Sequence, residues 1–218
     1  MDLKSINEKI KELRKNSKDR KFTQTFDCIV NLQNLDLRKP EHKVDVGVSI
    51  YTPIKEPSKL KFCAIIDHSI SGAEKIVDKV LYAEDLAAMK GDMKEIRKIT
   101  HDYDKFLVQA NLMPQFAQVL GRYLGPMNKM PSPKLGMVIT PKTDLKTLVE
   151  KIGKTVHLQT RKGLVLQFSV GSEKESDENI AKNVMAVYDA LLHALPGQKN
   201  NIKNVGLKLT MSKLEVLE

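Results

Sequence analysis

The chain has 218 residues, a formal net charge of +9, a pI near 9.4 and 41% hydrophobic residues. Apolar content on that scale excludes a disordered tail, and the length admits one large domain or two small ones. The basic excess favours nucleic acid or another anionic surface over a small neutral substrate.

Leu3, Ile6, Ile10 and Leu13 recur at helical spacing and predict a short amphipathic helix ending around Asn16 and Ser17. A basic linker with Lys18, Arg20 and Lys21 follows. From Phe22 the period changes to two, with Phe26, Cys28, Val30 and Leu32 on one face and Thr23, Thr25, Asp27 and Asn31 on the other. After a turn at Asn34-Leu-Asp, a second strand alternates Val44, Val46, Val48 and Ile50 against Asp45, Gly47 and Ser49. These two strands are expected to form a hairpin-like pair with one solvated face. Thr52 to Lys59, with two prolines and mixed charge, reads as a linker.

The next stretch has a different texture. Phe62-Cys-Ala-Ile-Ile is a continuous apolar run of the kind buried on both faces of a parallel sheet. Helices are expected from Gly72 to Val80, around Ala83–Lys90 and around Met93–His101, and Phe106-Leu-Val is a second buried strand. Asn111 is placed to cap a helix through Met113, Phe116, Val119 and Leu120. From Leu120 to Gly136, three glycines and three prolines predict a shaped loop carrying Arg122, Lys129 and Lys134. Met137-Val-Ile reads as a brief strand, and Thr143 as the cap of a helix through Leu145, Leu148 and Ile152 closed by Gly153. Strand–helix alternation predicts a three-layer α/β unit.

After Gly153 the first texture returns. Val156 and Leu158 alternate with polar residues, and Arg161-Lys162-Gly163 turns into a strand with Leu164, Leu166, Phe168 and Val170 on one face. A long helix from Ile180 to Leu195 stops at Pro196-Gly197, and a last strand carries Val205, Leu207 and Leu209. The two ends of the chain thus predict one discontinuous α+β domain, residues 1–58 and 154–218, with an α/β domain of residues 59–153 inserted. Two linkers near residues 59 and 153 favour a hinge between them.

Cys28 and Cys63 lie in apolar runs with no metal-ligand spacing and read as two reduced, buried thiols of a cytosolic protein. The five histidines lack paired carboxylates or nucleophiles, so no catalytic constellation is expected, and no metal or cofactor. The first residues lack the apolar region of a signal peptide, and no apolar run could cross a bilayer. Three stretches contain cations and no acid: residues 105–143, 154–172 and 199–214. If Phe22–Thr25, Arg161–Gly163 and Thr210–Ser212 meet at one end of the sheet, they form a patch with cations for phosphate and hydroxyls for ribose. On spacing alone, Phe22 and Met211 read as core residues, and Thr25 and Thr210 as β-formers on a solvated face. An enzyme using the inserted α/β domain for a nucleotide or phosphorylated substrate is the rival, although the basic loop lacks the ending of a P-loop.

Leu124-Gly-Pro-Met-Asn-Lys-Met-Pro-Ser, preceded by the Leu-Met-Pro helix, resembles the signature of the universal large-subunit ribosomal protein family called L-one. Lys21-Phe-Thr-Gln-Thr, Arg161-Lys-Gly and Thr210-Met fall where that family has matching motifs, and Phe22–Asp36 is closest in style to its archaeal and eukaryotic branches. The resemblance implies a split, ferredoxin-like β-α-β domain with an inserted three-layer Rossmann-like domain, monomeric outside the ribosome and on no membrane. It implies binding to the large-subunit rRNA of the mobile stalk beside the tRNA exit site, with exit-site tRNA and the protein's own mRNA as further partners. Carried over by position, the rRNA contacts are Lys21, Phe22, Thr23, Thr25, Arg161, Lys162, Gly163, Thr210, Met211 and Ser212, with Arg122, Lys129 and Lys134 as secondary RNA contacts. Ser212 departs from the glycine usual after Thr-Met, which matters if that glycine serves a positive φ or close backbone approach.

Overall fold

The computed structural model describes residues 2–18, 20–53, 60–68, 70, 72–140, 144–160 and 163–217. The chain divides into two compact units, residues 1–55 with 154–218, and residues 56–153. In chain order the first segment supplies α1 (Leu3–Asn16), β1 (Thr25–Leu32) and β2 (Asp45–Ser49). The middle unit follows with β3 (Phe62–Ile65), β4 (Lys79–Leu81), α2 (Ala83–Ala88), α3 (Met93–Asp102), β5 (Lys105–Gln109), α4 (Met113–Met127), β6 (Val138–Ile139) and α5 (Leu145–Gly153). The last segment contains β7 (Thr155–Gln159), β8 (Val165–Ser172), α6 (Asp177–Ala194), β9 (Ile202–Leu209) and β10 (Glu215–Val216).

In the split unit a four-stranded sheet has the order β10-β9-β1-β8, all antiparallel. Alternation does what it predicts here: every second residue of β1, from Phe26 to Leu32, is buried. α1 and α6 pack together, and Ile6, Ile10, Val184, Val187 and Leu191 join those strand residues in one core. Asn183, fully buried on α6, is satisfied on both ends: its Oδ1 accepts the Tyr51 N–H at 2.9 Å and its Nδ2 donates to Val170 O at 2.8 Å. The expected β1–β2 hairpin does not form. β2 instead pairs with β7 in a separate two-stranded sheet, because its register partners Leu158 and Val156 lie beyond the inserted unit. The short strand β10 has no sequence signature of its own and was missed.

The inserted unit holds a parallel sheet of order β4-β3-β5-β6. Both faces of β3 are buried, Cys63 and Ile65 against a core shared with α2, α3 and α4, Phe62 and Ala64 against one that includes Leu145 and Ile152 of α5. This is the three-layer arrangement read from the apolar run. Two expectations change. Gly72 to Val80 is not a helix: a single 3-10 turn at Ala73–Lys75 leads into β4, whose backbone is needed to pair Cys63–Ile65. Leu120 to Met127 is not loop but the last two turns of α4, despite Gly121, Gly125 and Pro126. Phe116, Leu120 and Leu124, all fully buried at i, i+4, i+8, anchor one helical face, and that packing outweighs the weak propensity of the glycines.

Pro126 sits in the last turn, so it costs one hydrogen bond where the helix is about to end. Asn128 closes the helix in the left-handed region at φ 55°, donating its N–H to Gly125 O at 3.1 Å, while Lys129 donates to Leu124 O at 3.1 Å. At the other end Leu112, not Asn111, is the N-cap position, behind a 3-10 turn over Ala110–Leu112. α5 begins under Asp144, whose Oδ1 accepts the Lys146 N–H at 3.1 Å; the Thr143 cap lies outside the described residues.

Candidate nucleic-acid interface

The register of β1 against β9 pairs Phe26 with Leu209, so the residues just outside that pair, Thr25 and Thr210, are forced together. Thr25 N–H donates to Thr210 Oγ1 at 3.1 Å, Thr210 N–H donates to Thr25 O at 3.1 Å, and the two hydroxyl oxygens lie 3.1 Å apart. One residue further out, Gln24 is buried and its Oε1 accepts the Met211 N–H at 3.2 Å. Gln24 is held in turn by Glu173, whose Oε2 accepts its N–H at 2.9 Å and whose own N–H donates to Gln24 O at 2.9 Å. The turn after β9 is closed by Ser212, with its N–H donating to Leu209 O at 3.0 Å and its Oγ accepting the Leu209 N–H at 2.8 Å. Among the described residues Ser212 is not one of the non-glycine residues at positive φ, so the position holds a serine without backbone strain.

This scaffold presents Lys21, Phe22 and Thr23 on one side and Thr210 and Met211 on the other, all exposed. Phe22 is 51% and Met211 59% exposed, which corrects the reading of either as core. Exposed aromatic and thioether groups beside a rigid hydroxyl pair suit packing against a ribose or base and hydrogen bonding to a 2′-hydroxyl. Arg14, beneath, is not part of the basic surface. Its guanidinium lies 5.2 Å from the Phe26 ring centroid, its Nε donates to Asp177 Oδ1 at 2.7 Å, and its Nη atoms donate to the carbonyls of Glu173 and Glu175, each at 2.6 Å. It pins α1 to the β8–α6 turn.

Gly163 does not join the other two motifs at their end of the sheet. β8 runs antiparallel to β1 with Asn31 opposite Val165, and Leu32 N–H donates to Leu164 O at 2.7 Å. Gly163 therefore lies past the far end of β1, beyond Asn31, which is itself six residues from Thr25, or about 20 Å along an extended strand. Arg161 and Lys162 lie outside the described residues. Between the two ends runs the sheet face that α1 and α6 leave uncovered. There Asp27 accepts from Ser169 Oγ at 2.7 Å and stands opposite Lys208, and Asn31 Nδ2 donates to Asn204 Oδ1 at 2.6 Å. Sequence reading put Asp27 and Asn31 on a solvated face but assigned that face no role. Its signal was present in the non-apolar half of each alternation, which carries Asn, Gln and Ser alongside a few charges.

In the inserted unit Arg122 and Lys134 are exposed. Lys129 is not available in the same way, because its Nζ donates to Thr100 O at 2.8 Å and Tyr103 O at 2.7 Å. It caps the C-terminal end of α3, where a cation is favoured by the helix dipole. Cys28 and Cys63 are free and buried, and burial pushes both thiols up to about 12. Among the described residues no group of three or more His, Cys, Asp or Glu could hold a metal, and no helix is long and apolar enough to cross a membrane.

Comparison with known proteins gives a consistent result. A family model described as the ribosomal protein L1p/L10e family matches residues 13–213. The chain is 37% identical over 213 residues to the large ribosomal subunit protein uL1 of Thermococcus kodakarensis, covering 96% of this chain and 95% of that one. It is 33% identical over 218 residues to the uL1 protein of Methanococcus voltae, covering all of both. Against the uL1 protein of Methanocaldococcus jannaschii it is 33% identical over 212 residues, covering 97% and 94%.

Proposed function

The chain belongs to the ribosomal protein L1p/L10e family in its archaeal type, and from that premise we propose that it is a structural, non-catalytic constituent of the large ribosomal subunit, on ribosomes of the cytoplasm, that grips stalk rRNA beside the tRNA exit site. The observation that carries this reading is the Thr25–Thr210 pair. Two hydroxyls separated by 185 residues are fixed 3.1 Å apart, flanked by the exposed Phe22 and Met211. A solvated sheet end needs no such arrangement for stability, whereas RNA recognition by shape and 2′-hydroxyl needs rigid donors and acceptors with apolar flanks.

In this reading Thr210, Thr25 and the uncovered sheet face contact sugar and base edges, and Lys21 supplies salt-dependent attraction to phosphate. Gly163 contacts a second position along the same RNA, at the far end of β1, and Arg161 and Lys162 add to the attraction for phosphate. Arg122 and Lys134 of the inserted unit make the secondary contacts, with exit-site tRNA among the candidates, and the protein assists movement or release of deacylated tRNA. The test is a titration of the full chain against a stalk rRNA transcript. Thr210→Val is expected to weaken binding by about 1–3 kcal/mol, the cost of leaving a buried hydrogen-bonding partner unmet. Unchanged affinity would remove Thr210 from the interface, and no binding by the wild type would remove the function.

A further inference from the structure

Next to this interface a cleft opens between the last turn of α1 and the turn that follows β9, enclosing about 450 Å3. That is within the size range of sites for small molecules. Resting on the reading of the adjacent sheet end as the rRNA interface, we propose that this cleft receives one unstacked nucleotide of the bound RNA.

Its lining has the three chemistries a nucleotide requires. Among the described residues Lys18, Arg20 and Lys213 line it against a single carboxylate, Glu215. None of these three cations is ion-paired among the described residues, so their charge is free for a phosphate; Asp19 lies outside the described residues. Met211 forms part of the wall, its backbone fixed by the Gln24 side chain and its thioether left exposed, a soft apolar surface for the face of a base. The third element is amide groups for a base edge. Gln24 Oε1 is held by Met211 N–H, which orients the amide, and its Nε2 makes no hydrogen bond among the described residues; Asn16 brings a second amide.

Continuous A-form RNA keeps its bases stacked and presents a wide, shallow groove, which matches a flat surface better than a cleft. A neutral protein side chain would leave these three cations without an anion, whereas a nucleotide brings its own phosphate. Phe22, Thr25 and Thr210 do not line the cleft, so its occupancy can be tested apart from the interface beside it.

The full chain is titrated against the rRNA segment that it protects from nuclease, with Thr210→Val as reporter of the interface as a whole. Asn16→Trp fills the cleft from an exposed position at the end of α1 and is expected to weaken binding about tenfold, the scale of one lost base contact. Arg20→Ala/Lys213→Ala is expected to lower the slope of log affinity against log salt by about 0.7, as for one phosphate of a single strand. Alkylation of base edges is expected to show one nucleotide shielded by the wild type and reactive again with Asn16→Trp. Circular dichroism confirms that each variant is folded. If both cleft variants bind like the wild type while Thr210→Val is weakened, the cleft assignment is overturned and the interface stands. If the wild type protects no rRNA, the functional reading falls and takes the cleft with it.

Discussion

Thr25 and Thr210 illustrate what single residues contribute: each uses its backbone N–H on the other, the Thr210 hydroxyl is held by the Thr25 N–H, and the Thr25 hydroxyl is held in turn by the Thr210 and Asp27 side chains. Sequence could name these residues but not their exposure. Phe22 and Met211 sit at positions that an alternating pattern assigns to the core, and only the ends of β1 and β9 decide that they fall outside it. Cys28 and Cys63 were the easier case, since an apolar run buries whatever thiol it contains. Burial moves both from the ordinary 9.0 to about 12. The folded protein then keeps these protons at pH values where the unfolded chain loses them. Their contribution to stability is therefore fully present below about pH 9 and is lost as pH rises towards 12, at up to about 1.4 kcal/mol per pH unit for each thiol. Urea midpoints measured at about pH 8 and about pH 10.5 should fall less in Cys28→Ala/Cys63→Ala than in the wild type. Equal falls would mean that the thiols ionise freely in the fold.

At the level of elements, periodicity was legible wherever one face of a helix or strand is buried, as in α1, β1, β8 and α6. It failed in two places for opposite reasons. Gly72 to Val80 lacks a sustained helical face, and the demand for a fourth parallel strand decides its structure. In α4 the apolar face was present at Phe116, Leu120 and Leu124, but the glycines and Pro126 were read as punctuation. That error has a measurable consequence. Gly121 and Gly125 lie inside a helix without positive φ, and a Cβ at Gly121 would come no nearer than 4.0 Å to Ala117 Cβ, while Gly125 has nothing within 4 Å. Ala restricts the unfolded chain and favours the helix, so Gly121→Ala and Gly125→Ala should each stabilise by about 0.5–1 kcal/mol. Chemical denaturation of the full chain measures this, and loss of stability in both would argue that the segment is not helical.

For the whole molecule, the decisive fact was the one that local pattern cannot supply, namely which strands pair across the insertion. β1 aligns with β8 and β9, and β2 with β7, so every sheet of the split unit needs residues from both ends of the chain. The condition that Gly163 join the other two motifs fails for this reason: its strand is legible in the sequence, but the antiparallel register sends Gly163 to the other end of β1. The same topology sets an order of folding. The inserted unit pairs strands no further apart in sequence than β3 and β5, whereas β1 must wait for partners some 140 to 180 residues away. Closing such a loop before any contact rewards it slows the step. Once the inserted unit has folded, the ends of the intervening chain are drawn in and the remaining closure is easier. Pulsed hydrogen exchange during refolding of the full chain should therefore protect the amides of β3 and β5 before those of β1 and β9. Simultaneous protection, or β1 ahead of β3, would mean that the split sheet nucleates on its own and that the insertion is a passenger in folding.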